Sequence, residues 1–284
     1  EISPEFEYSP NKSVSDTLVF SPETTRVNYF AKMLLEGGHP VMLTGLAGTG
    51  KSVLIRNLLR NLNDQEFISK SMNFNYYTTS LALQQFLESG VEMKSGKLYA
   101  PPAQKKCVFF IDDINMPEID LYGTQAPMTL LRQHLDYEHW YDRQAMTLKD
   151  VKKINYVSCM NPTAGSFTIN PRLQRHFSTF ALGIPPDNSI KQILSSMLVG
   201  HLEHHAFQSA VKGMATKLLE TIVNIHKEIT KTFMPTAVQF LYNFNLRDMC
   251  QVLQGVLRAM PNVVKTPEQI SILLATEAIR VYSD

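Results

Sequence analysis

The chain of 284 residues is poor in cysteine, in charge and in long apolar runs. Its three cysteines, Cys107, Cys159 and Cys250, are odd in number and far apart. They form no CxxC pair and no zinc-ligand spacing, so neither a disulfide framework nor a thiolate metal site is supported, and the pattern fits a reducing cytosol. No stretch approaches the ~18 consecutive apolar residues of a membrane span. The opening Glu1-Ile2-Ser3-Pro4-Glu5 has no apolar core, so no secretory leader is expected. Charged residues make up 19% of the chain, below the ~25% usual for soluble domains. With 27 basic against 26 acidic side chains the net charge is +1, which gives no electrostatic footprint for nucleic acid or an anionic membrane. The 44% hydrophobic content is too high for a disordered chain, and the length allows one large domain or two ordinary ones.

What is present is an alternation. Short runs rich in β-branched and aromatic residues stand at Pro40–Thr44, Phe67–Phe74, Cys107–Ile111, Ile154–Cys159 and Ser178–Ile184. Between them, Thr25–Leu35, Ser52–Leu62, Leu81–Leu87 and Met128–Leu135 carry the 3-and-4 apolar spacing of one helix face. Strands alternating with helices predict a mostly parallel, doubly wound α/β sheet. Ile184-Pro185-Pro186-Asp187 breaks this pattern, and only helical periodicities follow, at Ile190–His205, Lys212–Lys231, Asn245–Met260 and Pro267–Tyr282. The expected organisation is a lead-in over 1–17, an α/β domain over 18–185 and a smaller helical domain over 186–284. Two insertions, Ser89–Lys106 and Glu138–Lys153, carry turn signals and read as hairpins or exposed loops.

Gly45-Leu46-Ala47-Gly48-Thr49-Gly50-Lys51-Ser52 fits G-x-x-x-x-G-K-[ST] at every fixed position, with an apolar strand before it and an amphipathic helix after it. Its glycines let backbone N–H groups turn inward around a phosphate, and the helix start adds unpaired donors and a positive dipole end. Lys51 would place a cation on the β/γ-phosphates, and the Ser52 hydroxyl can ligate Mg²⁺. Such a loop needs a carboxylate at the end of a neighbouring strand. Cys107-Val108-Phe109-Phe110-Ile111-Asp112-Asp113 supplies two. Asp112 is expected on the magnesium side, through water, and Asp113 where a general base would polarise the attacking water. Asn161, after the next strand, could hydrogen-bond a γ-phosphate or be a turn residue before Pro162.

Beyond the phosphate loop, several longer strings resemble the AAA+ ATPases and, more closely, the dynein motor heavy chains. They are Phe110-Ile111-Asp112-Asp113-Ile114-Asn115-Met116-Pro117-Glu118, Tyr122-Gly123-Thr124-Gln125, Leu131-Arg132-Gln133-His134, His139-Trp140-Tyr141-Asp142-Arg143 and Met160-Asn161-Pro162-Thr163-Ala164-Gly165-Ser166-Phe167. Taken together they are similar to the third AAA+ module of axonemal dynein heavy chains of the outer-arm beta type.

The resemblance implies a five-stranded parallel sheet of order 5-1-4-3-2 with a C-terminal helical lid. It implies ATP or ADP with Mg²⁺ in the site. The loop from Gly45 to Val53 would contact the nucleotide, and Val19 and Phe20 would lie near the adenine. Asn161 would be the sensor, Asn75 a polar partner of the catalytic carboxylate, and Arg247 the lid arginine reaching the γ-phosphate in cis. Arg175 or Arg172 would act in trans on an adjacent module's nucleotide. The two insertions would be the hairpins that face the linker element. Partners would be neighbouring modules of the same heavy chain, the linker and, through the full motor, microtubules; the place would be the cytoskeleton of a cilium or flagellum. The scarcity of charge would then reflect flanks covered by neighbouring modules.

One departure from the general AAA+ pattern is Asp113 where Glu is usual. One methylene less retracts the carboxylate by ~1.5 Å, and a base must come within ~2.6–3.2 Å of its proton or work through water. Slow hydrolysis with preserved binding is expected, and a nucleotide-bound scaffold without significant hydrolysis is the rival expectation. A GTPase is disfavoured, because the only Asn-Lys pair, Asn11-Lys12, precedes the loop. The sequon Asn11-Lys12-Ser13 reads as a chance match. His201, His204 and His205 are expected on a solvated helix face rather than on a metal, and Trp140 with Tyr141 as a hairpin packing pair.

Overall fold

A computed structural model describes residue 6, residues 8–10 and 14, and residues 17–163, 169–238 and 242–283. The Asn11–Ser13 sequon and the Ala164–Phe167 end of the last family string lie outside the described residues. The chain divides into two compact units, residues 26–46 with 50–183, and residues 1–25 with 47–49 and 184–284.

The first unit is α/β. Its elements run α1 (Pro22–Glu36, begun in the other unit), β1 (Val41–Thr44), α2 (Lys51–Arg60), β2 (Phe67–Asn73), α3 (Ser80–Glu88), β3 (Glu92–Ser95), β4 (Leu98–Ala100), β5 (Lys106–Asp112), α4 (Ala126–Tyr137), β6 (His139–Tyr141), β7 (Leu148–Val151), β8 (Ile154–Met160), α5 (Pro171–Gln174) and β9 (Ser178–Ala181). The parallel sheet has the order β2-β5-β8-β1-β9. Counted along the five expected strands, that is 5-1-4-3-2. β5 is flanked on both sides, and Cys107 to Ile111 have no exposed surface. A strand covered on both faces must be apolar throughout, which is why this run does not alternate. Parallel pairing brings the C-terminal ends of β1, β2, β5 and β8 to one edge, so Thr44, Asn73, Asp112 and Met160 lead into loops on the same side.

The core against α3 and α4 contains Met42, Leu83, Leu87, Phe109, Ile111, Leu131 and Trp140. Each fully buried side chain of this size contributes about 1.5–3 kcal/mol. At its centre His134 is hydrogen-bonded twice, to the Val151 carbonyl at 3.2 Å and to the Tyr156 hydroxyl at 3.0 Å.

The two insertions form the hairpins β3–β4 and β6–β7, and β4 pairs with β7 in parallel to join them into one sheet of order β3-β4-β7-β6. Trp140 is fully buried and donates its indole N–H to Glu88 at 3.1 Å. Tyr141, on the other face of β6, is half exposed, so only the tryptophan of that pair is a packing residue. Lys149 ties the sheet down through Glu88 (3.1 Å) and Asp142 (2.7 Å).

The second unit is helical: α6 (Asp187–His204), α7 (Ser209–Lys212), α8 (Ala215–Thr232), α9 (Leu246–Val256) and α10 (Pro267–Tyr282). The expected helix from Lys212 to Lys231 is divided, because α7 stops at Gly213 before α8 begins. Leu198, Leu202, Ile222, Leu253 and Leu274 form the core, with Val14 and Val19 from the N-terminal segment. His201 corrects the expectation of a solvated histidine face. It is only 2% exposed. Its Nε2 lies 3.1 Å from the Ala259 carbonyl, and Nδ1 lies 2.9 Å from the Tyr8 hydroxyl. Gly200 belongs to the same contact: a Cβ there would stand 2.7 Å from Tyr8 Cβ. Among the described residues no group of metal-ligating side chains converges, and no helix is long and apolar enough to cross a membrane.

Candidate functional site

The edge at the strand ends gathers the residues of the phosphate loop and of the acidic pair. Gly48 and Gly50 both adopt left-handed backbone, with φ of 79° and 84°. Glycine meets those angles without strain, and residues with a Cβ rarely do. Gly50 is the N-cap of α2, so the start of that helix, with its positive dipole end, stands beside the loop. Ser52 and Val53 stand in this first turn, half-buried. Lys51 is 8% exposed, and its Nζ donates to the carbonyls of Gly45 (2.8 Å) and Leu46 (2.7 Å). The loop thus folds around its own cation.

Asp112 closes β5 and is buried. Arg56, one turn and a half along α2, brings its Nη2 to 4.0 Å from Asp112 Oδ2, so the start of α2 and the end of β5 converge. The thiol of buried Cys159 is pushed well above its ordinary value, by burial first and then by Asp112, while Lys51 opposes. Asp113 is exposed and has φ 53°, in the left-handed region that aspartate tolerates better than most residues. Asn161 follows β8. Its Oδ1 accepts from the Thr163 N–H (3.1 Å) and hydroxyl (2.9 Å), and its carbonyl accepts from Asn115 Nδ2 (3.0 Å). Its side chain therefore serves the turn that follows β8. Chemically, the edge offers a buried ammonium, N–H donors at a helix start, a hydroxyl and a buried carboxylate, the donor set of a phosphate–divalent cation site.

A family model described as the P-loop containing dynein motor region matches residues 6–185. The chain belongs to that dynein motor family. A second model, described as the AAA+ lid domain, matches residues 218–284. The dynein beta chain, ciliary, of Tripneustes gratilla is 49% identical over 281 residues, 99% of this chain and 6% of that relative. Dynein axonemal heavy chain 17 of Homo sapiens is 47% identical over the same shares. The dynein beta chain, flagellar outer arm, of Chlamydomonas reinhardtii is 39% identical over 279 residues, 98% of this chain and 6% of the relative. The chain thus spans about 6% of the length of the curated relatives it matches. A dynein P-loop domain with an AAA+ lid is a nucleotide-binding type of domain.

The remaining residues expected in a dynein module fall as follows. Asn75 is exposed, and its Oδ1 accepts from the Tyr77 N–H (3.0 Å) and the Thr78 hydroxyl (3.2 Å), which occupies it in its own turn. Val19 is buried in the helical core, and Phe20 is half-buried beside it in sequence. Arg247 lies in the first turn of α9, exposed. Arg172 and Arg175 both occupy α5 or its cap and are exposed, but they differ. Arg175 Nη2 donates to Asp136 Oδ1 at 2.8 Å, His176 Nε2 meets the same oxygen at 2.9 Å, and Arg132 Nε lies 3.8 Å from Oδ2. Burial pushes the Asp136 carboxyl up, yet Arg175 and His176 outweigh it and hold it below the ordinary carboxylate range. No ion pair ties down Arg172 among the described residues. Residues missed at the level of sequence are Arg56, Asn115 and Asp136. Arg56 and Asn115 sit inside a helix and a string already singled out, and the pairing of strand ends brings them beside Asp112 and Asn161; Asp136, one residue past the Met128–Leu135 periodicity, is revealed by its pairing with Arg175 and His176.

Proposed function

We propose that this chain is the ATP- or ADP-binding AAA+ module of an axonemal dynein heavy chain, a slow ATPase that regulates microtubule-based ciliary or flagellar motility. Its domains are a lead-in (1–17), a large nucleotide-binding domain (18–185) and a helical lid domain (186–284). The observation that carries the proposal is the convergence of the left-handed Gly48–Gly50 loop, buried Lys51 and buried Asp112 at one sheet edge. The loop N–H groups with Gly45 to Val53 would hold the phosphates, and Lys51 would exchange its two loop carbonyls for phosphate oxygens. Ser52, with Asp112 through water, would hold Mg²⁺, which supplies charge neutralisation on the phosphates when bound. Asp113 would act as the general base, Asn161 and Arg247 would contact the γ-phosphate, Asn75 would orient the acidic pair, and Val19 and Phe20 would border the adenine. Arg175 or Arg172 would serve an adjacent module of the same heavy chain, so this chain alone lacks a finger for its own site. The linker and, through the full motor, microtubules of the axonemal cytoskeleton would be its mechanical partners.

Asp113 favours a second reading, a scaffold that keeps its nucleotide. Its short side chain and left-handed backbone both limit its reach to a water on the γ-phosphate. Titration with a fluorescent ADP analogue and Mg²⁺ tests the shared part: the chain should bind it and Lys51→Ala should not. Equal binding by Lys51→Ala would refute a phosphate-loop site. Single-turnover ATP hydrolysis separates the two readings, since the scaffold predicts no hydrolysis over hours even with the neighbouring modules present.

A further inference from the structure

The turn that starts α9 touches the phosphate loop. Residues 47–49 and 184–284 form one compact unit, and within it Gly48 abuts Asn245. A Cβ on Gly48 would stand 2.6 Å from Asn245 Oδ1, 3.0 Å from its Cγ and 3.1 Å from its Cβ. Real Cβ atoms do not approach that closely, so residue 48 must be glycine for two reasons, its φ of 79° and the side chain packed on it. Asn245 is not free to swing aside. As the N-cap of α9 it accepts the Arg247 N–H at 2.8 Å, and its own N–H donates to Asp248 Oδ2 at 2.7 Å in a capping box. A side chain locked by a cap is a rigid surface for whatever rests on it.

We propose that Asn245 is a positioning residue for the phosphate loop: it backs the bend at Gly48, holding the loop N–H groups in their phosphate-binding arrangement, and keys that bend to the turn that carries Arg247. The assignment rests on the nucleotide-binding function proposed above, but part of its test does not.

Asn245→Ser separates the two duties of the residue. Serine caps a helix about as well as asparagine, so α9 stays intact, while its shorter side chain withdraws from Gly48. In the nucleotide-free full chain, amide hydrogen exchange of residues 46–50 should speed up about three- to tenfold as the loop, without its backing, opens more often, with residues 246–256 unchanged. Dissociation of a fluorescent ADP analogue should accelerate by a similar factor, with Lys51→Ala marking loss of the site altogether. Asn245→Ala, which removes the cap as well, should lower the unfolding midpoint; Asn245→Ser should not. Unchanged loop exchange in Asn245→Ser overturns the proposal, as does unchanged or slower nucleotide release. If the wild-type chain binds no nucleotide, the function proposed above fails, and the exchange measurement still decides whether Asn245 holds the loop.

Discussion

Acid should weaken the α/β unit through one histidine. His134 is 4% exposed, and burial, its largest influence, pulls its pKa from 6.5 down to about 4. The hydrogen bonds define its state. The Val151 carbonyl can only accept, so Nε2 carries the proton, and Nδ1 accepts from the Tyr156 hydroxyl. A second proton would put an unpaired charge in an apolar core. The folded pKa is depressed, so between pH 6.5 and 4 the unfolded chain binds a proton that the folded chain refuses. Stability is therefore undiminished above about 6.5, falls as the pH drops through that window, and levels off below about 4. The whole shift corresponds to about 3 kcal/mol, and the part lost between pH 7 and 5 to about 2 kcal/mol. Trp140, the single tryptophan, lies 5.2 Å from the His134 ring. Urea unfolding followed by its emission at pH 7, 6 and 5 therefore reports this unit directly. His134→Gln keeps an amide donor but cannot titrate, so its unfolding free energy should fall about 2 kcal/mol less over that range than the wild type's. Parallel pH profiles for the two chains would refute the reasoning.

Gly200→Ala should destabilise the helical unit although alanine is the better helix former by about 1 kcal/mol, because its methyl displaces Tyr8 from His201; Gly200→Ala combined with Tyr8→Ala should recover that gain, and thermal melts of both variants decide it. Asp136→Asn should lower stability by roughly 1 kcal/mol, the scale of partly exposed ion pairs. Since its carboxyl is held below the ordinary range in the fold, the difference from wild type should shrink as the pH falls through the carboxylate range. Asp113→Glu should raise single-turnover hydrolysis about tenfold or more by restoring reach; no increase in a chain that still binds nucleotide would point to backbone placement at φ 53° instead of side-chain length.

The parallel sheet was legible because its strands are short apolar runs separated by helix periodicities, and their order followed from the family strings. Gly45–Ser52 and Asp112 were legible because a phosphate cradle demands those residue types at that spacing. His201 was not. Its i,i+4 partner His205 and polar surroundings look solvated on a helical wheel, and burial comes from Tyr8, nearly two hundred residues upstream, packing on Gly200. Asp136 was equally hidden, since its partners Arg175 and His176 lie in another element. The joining of the two insertions escaped as well: β3 is exposed along its whole length, and a strand without an apolar face leaves no periodicity to find.

That joining has a consequence for anyone who trims or transplants this domain. The insertions at residues 92–100 and 139–151 look like separable decorations, yet the pairing of β4 with β7 joins the two hairpins. Cutting away the first would bare β7, and cutting away the second would bare β4, each a short row of unsatisfied N–H and C=O groups open to a strand from another molecule. The pair can be grafted or deleted as one cassette. Removing half of it should leave a chain that aggregates through its new edge.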